Sequence, residues 1–215
     1  GGLGLEASAV TYARDRGTNG TLFFVGDEGL GVVEITRTGQ TIGSMAFTNW
    51  PAASTNNDAE GLTYLGNGVL VVTEERLQDA FKFTYQQGGG VALASAPFVS
   101  IGGPAGNLGT EGISYDPRDG KFFTVKQNSP QDVLAGTLTF ETTGGVSTMS
   151  QLFDPGLLGL ASLSDVQTLS PVDALAGTPA ADNLLILSLD SRRLVEVTRT
   201  GVVVSSLDLT GITTQ

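Results

Sequence analysis

Short apolar runs recur along the chain: TLFFV at 21, VLVVT at 69, KFFTV at 121 and LLILS at 184. Gly, Asn and Asp bound each run, the pattern of strands separated by tight turns. No stretch of ten or more residues carries a helical period. The pattern predicts an all-β fold.

The runs belong to a repeat. DAEGLTYL at 58 aligns with GTEGISYD at 109, so Glu60 falls on Glu111, Leu62 on Ile113 and Tyr64 on Tyr115. EASAVTYA at 6 places Ser8 at the glutamate position and Tyr12 at the tyrosine position; SLSDVQTL at 162 fits more loosely, with Ser164 as anchor. The anchors 8, 60, 111 and 164 are separated by 52, 51 and 53 residues. Each is followed by a turn (DRGTNGT, LGNG, DPRDGK, and the longer SPVDALAGTPAADN) and then by a second strand ending in a polar cluster. Third strands are read in GVVEITRTG, AFKFTYQQG, AGTLTFETTG and LVEVTRTG, and fourth strands in TIGSMAF, VALASAPF, VSTMSQLF and VVVSSLDL. Four strands per repeat of about 50 residues is the pattern of a β-propeller blade. The predicted architecture is one propeller domain over 1–215, with blades at about 5–48, 58–102, 109–154 and 162–211. A β-sandwich is the competing reading, since sandwiches also space strands regularly; it would place the four anchors in two separate sheets.

Composition narrows the function. The 215 residues are 40% hydrophobic and only 15% charged, with 30 glycines, which suits one turn-rich domain with a sizeable core. The net charge is −11 and the pI about 4.2, with 3 Lys and 8 Arg scattered along the chain. Nucleic acid is excluded as a partner because phosphate binding needs clustered cations. Anionic membrane surfaces are excluded for the same reason, and no run of 18 apolar residues predicts membrane insertion. Cysteine is absent, so no disulfide reports on compartment. Histidine is absent as well, which removes the usual general base near neutral pH and the commonest transition-metal ligand. Any metal should be a hard cation held by oxygen.

DAEGLTYL, VVTEER, GNLGTEGISYDP and LILSLDSRRLVEVTRTG, in this order, resemble the SdiA-regulated family of secreted β-propeller proteins, and more distantly the esterase-like phytase domain. The resemblance covers essentially the whole chain. It implies a bacterial exported protein, extracellular or periplasmic, often with a bound divalent cation and with no firmly established reaction. The sequence departs from the family pattern in two places. Gln127 in VKQNSP stands where the family has an acidic residue after the lysine. The family also carries a further C-terminal blade with an AEG-like anchor; the repeat spacing places that anchor near 215–217, where this sequence ends. The expectation is a five-bladed ring of which four blades are visible, with the chain a mature form after signal removal or a fragment. An open blade edge would then be available for a protein partner or self-assembly.

In a propeller the first strand of each blade lines the axis, so equivalent positions form rings. Ser8, Glu60, Glu111 and Ser164 make one ring; Glu6, Asp58, Gly109 and Ser162 stand two residues earlier. Carboxylates converging in a channel repel, and one is forced to hold its proton unless a cation neutralises them. The predicted metal ligands are Glu60, Glu111, Asp58, Ser8 and Ser164, with Ca²⁺ the first choice and Mg²⁺ the second. Two other readings remain open: Glu60 and Glu111 as hydrogen-bond locks between blades, or as catalytic groups. A second ring closes the second strands, Glu28, Glu75, Gln127 and Asp190. It is either a solvated rim with ion pairs to Arg76 or Arg192, or a polar funnel around a ligand that the sequence does not name.

Other features have ordinary explanations. GGPAGNLG at 102–109 has neither the lysine nor the helix of a phosphate loop and reads as an inter-blade link. DPRDG at 116–120 is turn chemistry. The sequon at 19–21 doubles as an Asn-Gly hairpin turn, and Trp50 is expected to pack. No Ser–His–Asp or Cys–His set can be built, and a Ser–Lys pair through Lys126 has no support. No catalytic residue is assigned. The function expected is an acidic, exported propeller for binding or assembly with an axial cation. The alternative is a metal-dependent hydrolase of an ester, lactone or phosphoester, in which Glu60 or Glu111 would have to act as both ligand and base.

Overall fold

A computed structural model describes residues 2–128 and 130–212. Blade 1 is built from β1 (Ala7–Ala13), β2 (Thr21–Gly26), β3 (Gly31–Thr36) and β4 (Thr41–Asn49). Blade 2 contains β5 (Ala59–Gly66), β6 (Val69–Glu74) and β7 (Asp79–Thr84). The short β8 (Gly90–Ala92) then crosses to blade 1, and β9 (Phe98–Ser100) closes blade 2. Blade 3 is β10 (Thr110–Asp116), β11 (Lys121–Lys126), β12 (Asp132–Gly136) and β13 (Ser150–Gln151). Blade 4 is β14 (Asp165–Thr168), β15 (Leu184–Ser188), β16 (Arg193–Val197) and β17 (Val203–Asp208). The first strands β1, β5, β10 and β14 pack side by side in that order, and β14 touches β1. They surround a common axis, so the fold is a β-propeller and the sandwich reading fails. Four short 3-10 turns are the only helix among the described residues. The expected fifth anchor lies outside the described residues.

Two blades differ from the predicted strand pattern. VALASAPF is not one strand: Gly90–Ala92 pairs parallel to β4, a 3-10 turn follows at Leu93–Ser95, and only Phe98–Ser100 joins β7. Pro97 lacks the N–H that would continue a ladder. In blade 3 the third strand ends at Gly136. Residues 137–148 run out as a hairpin whose Glu141 bridges Phe98 of blade 2, leaving β13 two residues long. The Asn-Gly at 19–20 ends a long loop, and of that pair only Gly20 has positive φ. The two-residue turn is instead Asn67–Gly68, with both φ positive.

Alternation along the strands buries one face of each blade against its neighbour. Phe23, Val25 and Phe47 of blade 1 meet Leu62, Leu70 and Phe81 of blade 2. Val71 and Val99 meet Ile113 and Phe122 across the next seam, and Phe123 and Val125 meet Val166, Leu184 and Ile186 across the third. No equivalent cluster forms between blades 4 and 1 among the described residues. Val10 there is 42% exposed, and the exposed pair Arg14–Asp173 spans the seam. Trp50 packs edge-on against Phe47, as expected.

A polar clasp repeats at each closed seam. The residue three past the anchor accepts the backbone N–H of the residue four past the next anchor. Thr11 Oγ1 takes Tyr64 N at 3.1 Å, Thr63 Oγ1 takes Tyr115 N at 2.9 Å, and Ser114 Oγ takes Thr168 N at 2.9 Å. The DPRDG turn does more than turn. Asp116 is fully buried and ion-paired to Arg118 at 2.7 Å and to Arg199 of blade 4. Burial opposes its charge, but the Arg118 guanidinium and backbone N–H outweigh that and hold its pKa at about 2.

Candidate functional site

The three anchors Ser8, Glu60 and Glu111 are each the extra residue of a β-bulge. Pairing between β1 and β2 skips from Ala7 to Ala9, between β5 and β6 from Ala59 to Gly61, and between β10 and β11 from Thr110 to Gly112. A bulge re-aims one side chain out of the regular alternation. Here it sends the two glutamates into one polar recess. The glycine that follows each glutamate has its own cause. A Cβ on Gly61 would lie 2.3 Å from Thr73 Oγ1 and 3.0 Å from Ile113 N, and one on Gly112 2.6 Å from Asp165 Oδ1. The Glu-Gly pair therefore supplies both the functional side chain and the close approach of the next blade.

The recess has a volume of about 370 Å³ and is lined by Glu28, Asp58, Glu60, Glu75, Glu111 and Gln127, with Asp27, Asn56, Arg76 and Asn107. Asp27, Asp58 and Glu60 each bring a carboxylate oxygen within 4.8 Å of the others. One oxygen of Asp27 is buried without a partner, and Oδ2 of Asp58 meets Nε of Arg76 at 2.7 Å. Arg76 is held in turn by Asn107 Oδ1 at 2.6 Å. Glu111, 8% exposed, faces Glu75, 2% exposed, across the recess, and Glu75 Oε1 accepts the N–H of Gly109 at 3.2 Å.

Two carboxyls buried in one recess repel unless one keeps a proton. Burial, then the charges of Glu60 and Glu75, push Glu111 well above the ordinary glutamate range; burial likewise raises Glu75. Burial raises Glu60 to about 8 against the help of nearby Ser8, with Asp58, Asp27 and Glu75 adding to the rise. The site stores repulsion that a proton or a cation can relieve.

Six of the nine sequence-predicted residues line this recess, and Ser8 stands beside Glu60. Ser164 and Asp190 do not line it. Ser164 precedes β14 instead of occupying a bulge within it, and its hydroxyl accepts the N–H of Leu189 at 3.0 Å. Asp190 sits in the same turn, its N–H donated to Ser162. Glu111 falls outside the tight triad and faces Glu75. Arg76 finds its partner in Asp58 of its own blade. Asp27, Asn56 and Asn107 were not assigned from the sequence. Asp27 could have been, because it stands beside Glu28 in the second-strand ring. Asn56 and Asn107 lie in irregular links where no periodicity points at the axis.

The SdiA-regulated family matches residues 1–215, the whole chain. The chain belongs to the SdiA-regulated family. Among solved structures, this SdiA-regulated propeller is similar to glutaminyl cyclase from Myxococcus xanthus (TM-score 0.59, 13% identity, covering 100% of this chain and 78% of that one). It is similar also to a streptogramin B lyase (TM-score 0.50, 12% identity, 95% and 55%). A third match is hydrazine synthase from Kuenenia stuttgartiensis (TM-score 0.49, 13% identity, 93% and 48%), of whose length the chain spans about half. At these identities the likeness shows the fold alone.

Proposed function

We propose that this SdiA-regulated chain is an exported binding propeller that holds a divalent cation, Ca²⁺ before Mg²⁺, in the acidic recess at one end of its axis. The observation that carries the reading is the convergence of Asp27, Asp58 and Glu60 to within 4.8 Å, with an unpartnered Asp27 oxygen among them. The donor set fits such an ion: carboxylate and amide oxygens, with no nitrogen or sulfur ligand, and with Ser8 beside Glu60. Glu28, Gln127, Asn56 and Asn107 at the rim suit a polar ligand. Export is read from the family likeness. Assembly of a second copy is read from β17, whose residues are all exposed, with Val204 and Leu207 more than half so.

Calcium titration by calorimetry, with thermal melting in calcium and in chelator, tests the cation. A bound ion stabilises the fold by mass action, ~3 kcal/mol at a hundredfold excess over Kd. Equal melting in both, with no heat of binding, removes the cation and leaves the carboxylates as inter-blade locks. Sedimentation over a range of concentrations tests self-assembly. The hydrolase reading gains one observation: Glu111 lies outside the tight triad, so ligand and proton carrier need not be the same residue. The cation would supply Lewis acidity there, and turnover of ester, lactone or phosphoester substrates that depends on Glu111 would favour it.

A further inference from the structure

The inner strands have a second end, away from the carboxylates. Four residues past each anchor stand Tyr12, Tyr64, Tyr115 and Thr168. A cavity of about 230 Å³ lies there, between Tyr12 and Tyr64, with Leu65, Pro117 and Pro171 in its walls. At ~30 Å³ per water molecule it has room for several. A second cavity of about 190 Å³ shares Tyr12, Tyr64 and Pro171 with it. The tyrosine hydroxyls are engaged with the protein. Tyr12 donates to Asn19 O at 3.3 Å, and Tyr64 accepts the N–H of Gly68 at 2.7 Å. Tyr64 stacks one face on Phe23 with centroids 5.9 Å apart, so what the two rings leave for a ligand is the aromatic surface turned to the cavity.

The charges around this end are unequal. Arg14 is paired with Asp173 at 3.1 Å and Arg16 with Glu34 at 2.7 Å. Asp15 accepts the N–H of Asn67 at 2.8 Å and has no arginine of its own. Burial opposes its charge, but the Tyr64 hydroxyl and the Asn67 N–H outweigh that and hold its pKa below the usual carboxylate range. Of the cavity's two charged lining residues, Arg14 is paired with Asp173 and Asp15 is left without an ion-pair partner among the described residues, on a molecule of net charge −11.

We propose that the tyrosine-lined cavity binds a small organic cation, a methylated ammonium head group. Aromatic faces attract cations through the ring quadrupole, and apolar walls favour a cation whose charge is shielded by methyl groups. A bare metal ion finds no converging oxygens between Tyr12 and Tyr64. An anionic ligand would have to take Arg14 from Asp173 against the field of the whole protein. The site is independent of the acidic recess at the other end of the axis.

Calorimetry with choline, and with its uncharged isostere 3,3-dimethylbutan-1-ol, tests the proposal on the native protein. The expected result is choline binding at least roughly tenfold tighter than the isostere. Tyr12→Leu should weaken choline roughly five- to thirtyfold, Tyr12→Phe should restore most of it, and Asp15→Asn should weaken it. Equal binding of choline and the isostere, or no choline binding by the native protein, overturns the proposal. Both outcomes are read without any variant having to fold.

Discussion

Replacing Glu60 with glutamine tests the electrostatics of the acidic recess in a way that general destabilisation cannot imitate. The folded-state pKa of Glu60 is raised from 4.5 to about 8. A raised carboxyl contributes stability that is full below its unfolded value and lost as pH rises toward its folded one. At ~1.4 kcal/mol per pH unit, the span from 4.5 to neutrality costs the native protein at most about 3.5 kcal/mol. Partial exposure of Glu60 reduces this to ~1–2 kcal/mol. Glutamine keeps the shape and does not titrate. Without divalent cation, Glu60→Gln should melt about 2–8 °C higher than the native protein near neutral pH. The gap should close near pH 4.5 and be largest at about pH 8 and above. In calcium the order should reverse, because the variant has lost one of the three converging negative charges. Differential scanning calorimetry across that pH range, with chelator and with calcium, reads all of this. A variant less stable by the same amount at every pH would refute the reasoning.

Three further outcomes follow from the packing. Asp165 is buried, and burial raises its pKa to about 8 against the help of the Val166 N–H at 2.7 Å. Its contribution is likewise lost as pH rises from the ordinary aspartate range through 8, so Asp165→Asn should stabilise the protein by several kcal/mol, roughly, in alkaline urea titrations and by little in acid. Gly112→Ala should destabilise by ~1–3 kcal/mol in the same assay, since the new methyl meets Asp165 Cα and Val166 N at 2.8 Å as well as the carboxylate. Thr63→Val keeps the volume but orphans the Tyr115 N–H, and should cost ~1–3 kcal/mol.

The four described blades, the anchor positions and most of the acidic ring were legible in the sequence. Each depends on periodicity: strands alternate with period two, and the repeat of 51 to 53 residues carries equivalent positions to equivalent places around the axis. Glu60 and Glu111 could be placed together from that symmetry alone, and the absence of histidine already restricted the site to oxygen chemistry. Tertiary structure decided whatever breaks the symmetry. Ser164 has the right spacing, yet without a bulge at its position it turns to Leu189 and leaves the recess. Glu111 has the right spacing too and lines the same recess, but the third carboxylate within 4.8 Å of Asp58 and Glu60 is that of Asp27. Asn56 and Asn107 reach the site from links with no period. VALASAPF divides between two blades because Pro97 cannot donate to a ladder and Gly90–Ala92 finds a free edge beside β4. A repeat specifies which residues are equivalent. Which of them meet depends on the local backbone and on neighbours far away in the chain.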